Sequence, residues 1–361
     1  MLEQTDTVKK KKMSITATAV LTIICIIVVI AGIVVLLRSM GKEKMTTPAV
    51  VTDKITNIGD KADDLKGNQI SYKDKIYALN EDLTTILVMG IDDETYTEVG
   101  GNSWSAEEGS YYNGGQADAL FLILLNPHMK KTDIIAINRN AMADIDVWDE
   151  TGNYEGIFKK QICLQHGYGY GGTESCEYQV KAVSRMFHNI SIDAYAAISM
   201  DAIPELNDAV GGIEVEVLDD IIYPEYDMNL HQGDVVTLSG EKAYWYIRLR
   251  NENVFDSSEQ RLQRQKQYLT TFLAKAKSAS VSDVRTAAKL YKIAQKYMVT
   301  DIDAGSCIYL ATEASGYTFD MEDIYSLKGE TIQGNRFEEF YVDEDALEEL
   351  IVELFYEPVE K

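Results

Sequence analysis

Arginine is scarce in this sequence, and nearly half of its arginines lie in one short segment. The chain has nine arginines, and four of them lie between positions 248 and 264: Arg248, Arg250, Arg261 and Arg264. The chain as a whole carries a formal net charge of −24. Clustered guanidinium groups in so acidic a chain indicate an anionic ligand, because the planar guanidinium matches paired phosphate oxygens. The alternative is four surface arginines that pair with the many carboxylates.

The spacing of the cluster predicts which side chains share a face. If the segment around them is extended, Arg248 and Arg250 lie on the same face, whereas in a helix they diverge by about 200°. If both arginines belong to one site, we therefore expect this segment to be extended. Arg261 and Arg264 are three residues apart in the predicted helix 258–277 and lie about 60° apart around its axis.

Carboxylates at predicted strand ends are candidate metal ligands. Asp92 follows the predicted strand 84–91, Asp118 precedes the predicted strand 119–125, and Asp256 precedes the long helix. Ligands of α/β proteins bind along the edge of the sheet where strands end. Two or three carboxylates there can hold Mg²⁺ together with substrate phosphates. Taken alone, each aspartate is more typical of an ordinary loop or helix cap.

Short apolar runs alternate with helical patterns along most of the chain. The runs at 84–91, 119–125 and 133–137 are nearly continuous, as is typical of strands buried on both faces. Helical patterns cover 174–188, 200–209, 258–277, 283–297, 303–314 and 343–355. This alternation predicts an α/β fold, a three-layer α/β/α sandwich with a central mixed sheet, over residues 81–356.

The N-terminal part of the chain predicts a single transmembrane helix. Residues 17–37 carry no charge, follow the lysines at 9–12, and are long enough to span a hydrocarbon core of roughly 30 Å. The charges predict a cytoplasmic tail over 1–16, with the remainder outside the membrane. The polar residues 38–80 predict an extracellular stalk, and 357–361 a short tail. We expect a single-pass protein of the cell membrane with an extracellular catalytic domain.

Two cysteines flank a loop rich in glycine and tyrosine. Cys163 and Cys176 are 13 residues apart. Outside the cell they can form a disulfide that contributes about 3 kcal/mol in the chain-entropy model, and two free thiols explain the spacing equally well. The loop lacks the Gly-Lys-Ser/Thr of a P-loop. His166 in this loop has no evident serine or cysteine partner, so a hydrolase triad is not supported.

Seven stretches of the sequence follow one another in the order found in one family. They are ILVMGIDD (86–93), QADALFLILLNP (116–127), IIAINRNAMADI (134–145), HGYGYGG (166–172), AVGGIEVEV (209–217), LSGEKAYWYIRLRN (238–251) and RLQRQ (261–265). Together they resemble the LytR-CpsA-Psr family of cell-envelope proteins. The resemblance covers about residues 80–356, and the paired arginines belong to its signature.

This resemblance implies a phosphotransferase with a pyrophosphate site. The donor would be a glycopolymer on a polyprenyl-pyrophosphate carrier, and the acceptor a cell-wall group, commonly a peptidoglycan sugar hydroxyl. The residues implied to bind the pyrophosphate are Arg139, Arg248, Arg250, Arg261 and Arg264, with Gln116 beside them. The implied Mg²⁺ ligands are Asp92 and Asp118, and the implied catalytic residues are Asp118, Arg139 and Asp256, the last as a base or a supporting carboxylate. The family fold also includes an apolar tunnel for the lipid.

The sequence departs from the family pattern near the implied centre. Gln116 and Asn140 stand where the family usually has arginine and aspartate, and Cys163 and Gln165 stand where it has lysine and asparagine. These departures leave open a non-catalytic protein that binds polyprenyl phosphate or glycopolymer. A regulator of transcription is excluded, because about 16 cytoplasmic residues are too few for a DNA-binding domain and the acidic chain repels nucleic acid.

Overall fold

The computed structural model describes most of the chain beyond the predicted anchor. The described residues are 35–45, 58, 68–92, 114–169, 171–251, 254–319 and 321–359. The predicted cytoplasmic tail, 1–16, and all but the last three residues of the predicted transmembrane helix, 17–37, lie outside these ranges. Within the described ranges, no helix is long and apolar enough to cross a membrane.

The described part of the chain contains eight α-helices and seventeen strands, besides three short 3-10 helices. The helices are α1 (35–45), α2 (Gly172–Met186), α3 (Ala202–Ala209), α4 (Gly240–Arg248), α5 (Ser257–Ser282), α6 (Val284–Tyr297), α7 (Ala304–Ala314) and α8 (Glu344–Phe355). The first eight strands are β1 (Gln69–Tyr72), β2 (Lys75–Leu79), β3 (Thr84–Asp92), β4 (Gln116–Asn126), β5 (Lys131–Ile137), β6 (Met142–Trp148), β7 (Tyr154–Gln161) and β8 (Ala194–Ser199). The others are β9 (Ile213–Glu216), β10 (Ile221–Tyr223), β11 (Met228–Leu230), β12 (Val235–Leu238), β13 (Met298–Thr300), β14 (Ile324–Ser326), β15 (Gly329–Gln333), β16 (Glu338–Val342) and β17 (Tyr356–Pro358).

A six-stranded mixed sheet forms the centre of the molecule. Its strand order is β13-β8-β3-β4-β5-β14. The pairs β3–β8 and β5–β14 are parallel, and the pairs β3–β4, β4–β5 and β8–β13 are antiparallel. The three predicted apolar strands are β3, β4 and β5, so the predicted central mixed sheet is confirmed.

Helices cover both faces of this sheet. On β3, Leu87 and Met89 point into a core that also contains Val180 of α2 and Ile351 of α8. The alternate residue Ile86 lies on the other face, in a cluster closed by α7. Helix α5 covers the same face beside β4 and β5. Because side chains of a strand alternate between faces, nearly continuous apolar strands are buried on both sides, which produces the three layers.

Helix α1, which covers the end of the predicted transmembrane helix and the start of the predicted stalk, packs directly against α7. Arg38 forms an ion pair of 2.9 Å with Glu313. Gly41 lies so close to the main chain of Gly305 that a Cβ atom would not fit. At the end of α1, Met45 is 2% exposed in the cluster beneath α7. This part of the chain is therefore docked on the domain.

The strands nearest to the two ends of the described chain also pair with each other. β1 and β2 form a hairpin, and β17 pairs with β2 to complete a three-stranded sheet. The predicted stalk, 38–80, therefore contains two strands of the folded domain. The predicted tail, 357–361, begins inside β17. The sequence predicted a stalk here because these strands are short and only partly buried, so their residues are largely polar.

The paired arginines follow a helix, contrary to the extended form that the sequence predicted. Helix α4 continues to Arg248, and Leu249, the residue after it, has extended backbone angles. Ala243, Tyr246 and Ile247 share one face of this helix and are buried in a core with β9 and α5. Burial of this face stabilises the helix and overrides the alternation of apolar residues and arginines that suggested a strand.

Candidate functional site

A cavity of about 1370 Å³ opens where β3 ends and β4 begins. Its walls also include residues of α4, the first turns of α5 and the β15–β16 turn. Five arginines line it: Arg139, Arg248, Arg250, Arg261 and Arg336. The predicted clustering of guanidinium groups therefore holds for three of the four arginines between positions 248 and 264.

Asp118 enters the cavity through a β-bulge. Along the β3–β4 pair, Gly90 is opposite Ala119, but Ile91 is opposite Ala117. Asp118 is thus an additional residue on β4, and such a bulge redirects a side chain locally. The sequence predicted Asp118 just before this strand. In the structure the strand begins at Gln116, so Asp118 lies inside it.

Two arginines share the carboxylate of Asp118. Its Oδ1 lies 2.8 Å from Nη2 of Arg139, and its Oδ2 lies 3.3 Å from Nη1 of Arg261. All three side chains are at most 13% exposed. A carboxylate buried between two guanidinium groups holds them in place and leaves one positive charge in excess.

Arg248 and Arg250 reach the same cavity from the end of α4. Arg248 pairs with Asp92 at the end of β3, at 2.6 Å. The chain leaves the helix at Leu249, and Arg250 then donates through Nη1 to the hydroxyl of Ser258 at 3.2 Å. The helix end, and not a common strand face, is what brings the two arginines together.

Guanidinium groups are concentrated at one end of the cavity, its arginine end. Arg139, Arg248, Arg250 and Arg261 lie there beside the carboxylates of Asp92 and Asp118, whereas the described lining as a whole has five arginines and five carboxylates. Burial lowers the pKa of Arg261 to about 10, the carboxylate of Asp118 opposes this shift, and the neighbouring guanidinium groups of Arg139 and Arg250 lower the pKa further. An anionic ligand would relieve this mutual repulsion.

Arg264 lies behind the cavity and supports it. Its side chain is 2% exposed and does not line the cavity. It donates to the main-chain carbonyl oxygens of Tyr246 and Leu249, and its Nε lies 3.2 Å from the carboxylate of Asp219. Burial lowers the pKa of Arg264. The structure therefore assigns to this arginine the anchoring of the end of α4, in place of the predicted contact with pyrophosphate.

Asp256 contacts the β15–β16 hairpin instead of the cavity. Its Oδ1 accepts a hydrogen bond of 2.8 Å from the hydroxyl of Thr331. Its main-chain N–H donates to Oε1 of Glu338 at 2.7 Å. Asp256 does not line the cavity, so its carboxylate holds a hairpin that does. Of the two predicted roles, base or supporting carboxylate, this position favours the second.

Neutral hydrogen bonds replace the charges that the family pattern has at two positions. Gln116 accepts a hydrogen bond from Arg139 through Oε1. Asn140 donates to the hydroxyl of Ser258 at 2.8 Å and accepts from Gln161 at 3.2 Å. Both departures are therefore built into the hydrogen bonds that surround the arginines.

The two cysteines beside the loop are free thiols in the structure. Cys163 and Cys176 are both fully buried. Burial raises the pKa of Cys163 to about 11, so its thiol is neutral at neutral pH. Its Sγ lies 3.9 Å from Oε1 of Gln116. Of the two alternatives that the spacing left open, the structure has the free thiols.

Asp92 and Asp118 form a donor set that suits Mg²⁺ but not a metal held by the protein alone. Both carboxylates line the cavity, on neighbouring strands. The described residues contain no group of three or more side chains of the types that bind metals. Mg²⁺ is commonly held by one or two carboxylates together with substrate phosphates. The residues present therefore fit an ion that binds with a phosphorylated ligand.

The β15–β16 hairpin adds residues that the sequence analysis missed. Its turn brings Arg336, Phe337 and Glu338 to the cavity. Glu338 is 8% exposed, and its Oε2 has no hydrogen-bond partner among the described residues; the same is true of Nε of Arg139. Buried polar atoms without partners are rare, so these two indicate a polar ligand. The only sequence signal was the scarcity of arginine, which makes Arg336 notable even in a polar turn.

Comparisons with known proteins match the whole domain. The model of the LytR_cpsA_psr family matches residues 45–355. Biofilm regulatory protein A of Streptococcus mutans is 29% identical over 265 residues, which are 70% of this chain and 59% of that protein. The polyisoprenyl-teichoic acid–peptidoglycan teichoic acid transferase TagU of Bacillus subtilis is 25% identical over 283 residues, which are 78% of this chain and 80% of that protein.

Solved structures have the same fold. The crystal structure of B. subtilis TagV superposes with a TM-score of 0.56 at 25% identity and covers 75% of this chain and 95% of that one. The structure of TagT bound to LI-WTA superposes with a TM-score of 0.51 at 18% identity, over 84% of this chain and 97% of that one. The second likeness concerns the fold alone.

Proposed function

Since the chain belongs to the LytR_cpsA_psr family, we propose that it is a phosphotransferase acting on glycopolymers. The donor is a glycopolymer on a polyprenyl-pyrophosphate carrier, and the acceptor is a wall group such as a peptidoglycan sugar hydroxyl. The observation that supports this most strongly is the convergence of Arg139, Arg248, Arg250 and Arg261 on one cavity. The teichoic acid transferases among its relatives support the same class of reaction.

The proposed reaction depends mainly on charge and position. The oxygen of the acceptor hydroxyl forms a bond to the phosphorus that carries the glycan, and the bond from that phosphorus to the lipid phosphate breaks. The arginines bind the phosphate oxygens and stabilise the leaving polyprenyl phosphate. Asp118, already in contact with two of these arginines, accepts the hydrogen bond and then the proton of the attacking hydroxyl. Arg139 and Arg261 then keep that carboxyl oriented.

We assign Mg²⁺ to the same end of the cavity. Asp92 and Asp118 would hold it, and the bound ion would supply further positive charge next to the phosphates. Asp92 pairs with Arg248 at 2.6 Å in the structure, so binding of the ion to Asp92 would require this ion pair to open.

The proposed location is the outer face of the cell membrane. The uncharged segment 17–37 with its preceding lysines is the proposed anchor. A donor with a long prenyl chain stays in the bilayer, so a transferase attached to the same bilayer meets it in two dimensions. The docking of α1 on α7 would hold the domain close to that anchor.

The test is a transfer assay with the full chain in detergent or lipid. A prenyl-pyrophosphate-linked glycan serves as the donor, and the released prenyl phosphate is measured with and without Mg²⁺. We expect Arg248→Ala to abolish release without unfolding the domain. Arg285→Ala is the matched control, because Arg285 is 87% exposed and pairs with Asp283, a residue outside the cavity. Full release by Arg248→Ala would contradict the proposed site.

A second candidate function is binding without transfer. The neutral side chains of Gln116 and Asn140 near the arginines favour it, because they supply neither a cation nor a carboxylate. In the same assay a binding protein would retain the pyrophosphate-linked donor and release no prenyl phosphate at any Mg²⁺ concentration.

A further inference from the structure

One face of α4 forms an aromatic wall of the cavity. Glu241, Tyr244, Trp245 and Arg248 are spaced i, i+3, i+4 and i+7, so they share one side of the helix. All four line the cavity. In order along the helix, this face presents a carboxylate, two aromatic rings and a guanidinium group.

A third ring extends this wall. Tyr226, in the turn between β10 and β11, stacks on Trp245 with ring centroids 3.9 Å apart and planes 27° apart. Tyr244 meets Trp245 edge-on at 4.8 Å. An ion pair of 3.2 Å between Lys242 and Asp227 joins the turn to the helix. The aromatic wall, defined here as Tyr226, Tyr244 and Trp245, is therefore held in a fixed arrangement.

Arg248 connects the aromatic wall to the arginine end. Its guanidinium lies over the ring of Tyr244, 5.2 Å from the centroid, and pairs with Asp92. A ligand whose phosphate reaches Arg248 must therefore place the next chemical group along the aromatic wall. In a prenyl-pyrophosphate-linked glycan, that group is either the start of the prenyl chain or the first sugar.

Two carboxylates on this side of the cavity favour the sugar. Glu241 begins the same helical face, and Asp201 lies just before α3, and both line the cavity. Covering carboxylates with a prenyl chain removes their water and gives nothing in return. A sugar instead donates hydroxyl hydrogen bonds to carboxylates while its C–H face packs on aromatic rings.

We propose that the aromatic wall is the subsite for the first sugar of the donor, the one attached to the pyrophosphate. This assignment rests on the proposed function. The assignment also specifies the side of the cavity on which the glycan lies. Arg248 would then lie between the first sugar and the remaining arginines. The wall selects a pyranose ring with an apolar face, and Glu241 and Asp201 accept from its hydroxyl groups.

The experiment compares two ligands that differ only in the sugar. The dissociation constants of geranylgeranyl pyrophosphate and of geranylgeranyl-pyrophosphoryl-N-acetylglucosamine are measured by calorimetry with the full chain in detergent. We expect Trp245→Ala to weaken binding of the sugar-bearing ligand about tenfold and to leave the sugar-free ligand within about twofold. Tyr291→Ala is the matched control: Tyr291 is an exposed aromatic residue of α6 outside the cavity, and both affinities should stay unchanged.

The outcomes separate the subsite from the proposed function. Equal weakening of both ligands by Trp245→Ala would place the prenyl chain on the wall and overturn the proposal. The proposal would also be overturned if Trp245→Ala weakened only the binding of N-acetylglucosamine oligomers offered as acceptors. If thermal melting shows that Trp245→Ala is unfolded, Tyr226→Ala takes its place with the same expectation. Failure of the wild type to bind either lipid pyrophosphate would contradict the proposed function itself.

Discussion

The guanidinium of Arg264 donates a hydrogen bond to the main-chain carbonyl oxygen of Leu249. Leu249 lies between the two arginines that reach the cavity from α4. A buried side chain thus fixes the backbone that aims Arg248 and Arg250, although it does not touch the cavity itself.

Replacing Arg264 should therefore affect folding before it affects binding. Arg264→Ala leaves the carbonyl oxygens of Tyr246 and Leu249 without their buried donor and removes the ion pair with Asp219, and we expect a loss of about 3–5 kcal/mol in the free energy of unfolding. Urea denaturation of the variant and of Arg285→Ala, an exposed control, measures it. An unfolding free energy equal to that of the control would show that this arginine does not support the fold.

Asp118 should couple stability to the anion. Asp118→Asn leaves Arg139 and Arg261 buried without their shared carboxylate, so we expect lower stability and a larger rise in Tm with inorganic pyrophosphate than in the wild type. Asp74→Asn, in the exposed β1–β2 turn, is the control. If pyrophosphate raised the Tm of Asp118→Asn less than that of the wild type, the carboxylate would be needed for anion binding and not merely as a substitute counter-charge.

Asp193 should make stability depend on pH. Burial raises the pKa of Asp193 to about 6, although the N–H and hydroxyl of Thr85 donate to its carboxylate. The folded pKa lies above the unfolded one, so the folded state holds this proton more tightly, and the resulting stability is lost as pH rises from about 4 through 6. Relative to wild type, Asp193→Asn should gain about 2 kcal/mol between pH 4 and pH 7. Urea denaturation at the two pH values checks this, and a difference independent of pH would contradict it.

The contact between α1 and α7 should fail when a side chain is added at Gly41. A Cβ there would collide with the main chain of Gly305, so Gly41→Val should release α1 and expose Met45. Hydrogen–deuterium exchange of the full chain should become faster over residues 35–45 and stay slow in β3. Gly316→Val is the control, since the space around Gly316 is open. Unchanged exchange over 35–45 would mean that the helix is held by other contacts.

Local patterns were enough to predict three of the six strands of the central sheet and most helices. The strands β3, β4 and β5 are buried on both faces, so their apolar runs are unambiguous, and the stripe of α5 predicts a helix. The end of α4 was different. Ile247 and Leu249 alternate with arginines as in a strand, and only burial against β9 and α5 favours the helix. Local sequence carries no information about that partner.

The residues of the site were likewise predicted only in part. Guanidinium clustering and the family resemblance predicted Arg139, Arg248, Arg250 and Arg261 as neighbours. They did not distinguish Arg264, which lies behind the cavity, from the arginines that line it, because its partner Asp219 is distant in the sequence. Arg336 was missed because the turn that carries it reads as an ordinary polar loop. The positions of such residues depend on how hairpins fold back onto the cavity, which is a property of the tertiary structure.

The most direct test of the central claim is the binding of pyrophosphate to the arginine cavity. Calorimetry of the full chain with geranyl pyrophosphate, in the presence of Mg²⁺, measures the affinity in the wild type, Arg250→Ala and Arg285→Ala. We predict saturable binding to the wild type and to Arg285→Ala, and at least about a tenfold loss in Arg250→Ala, the effect of removing one charge-assisted contact. Equal affinity in all three proteins would contradict the assignment of this cavity to a lipid pyrophosphate.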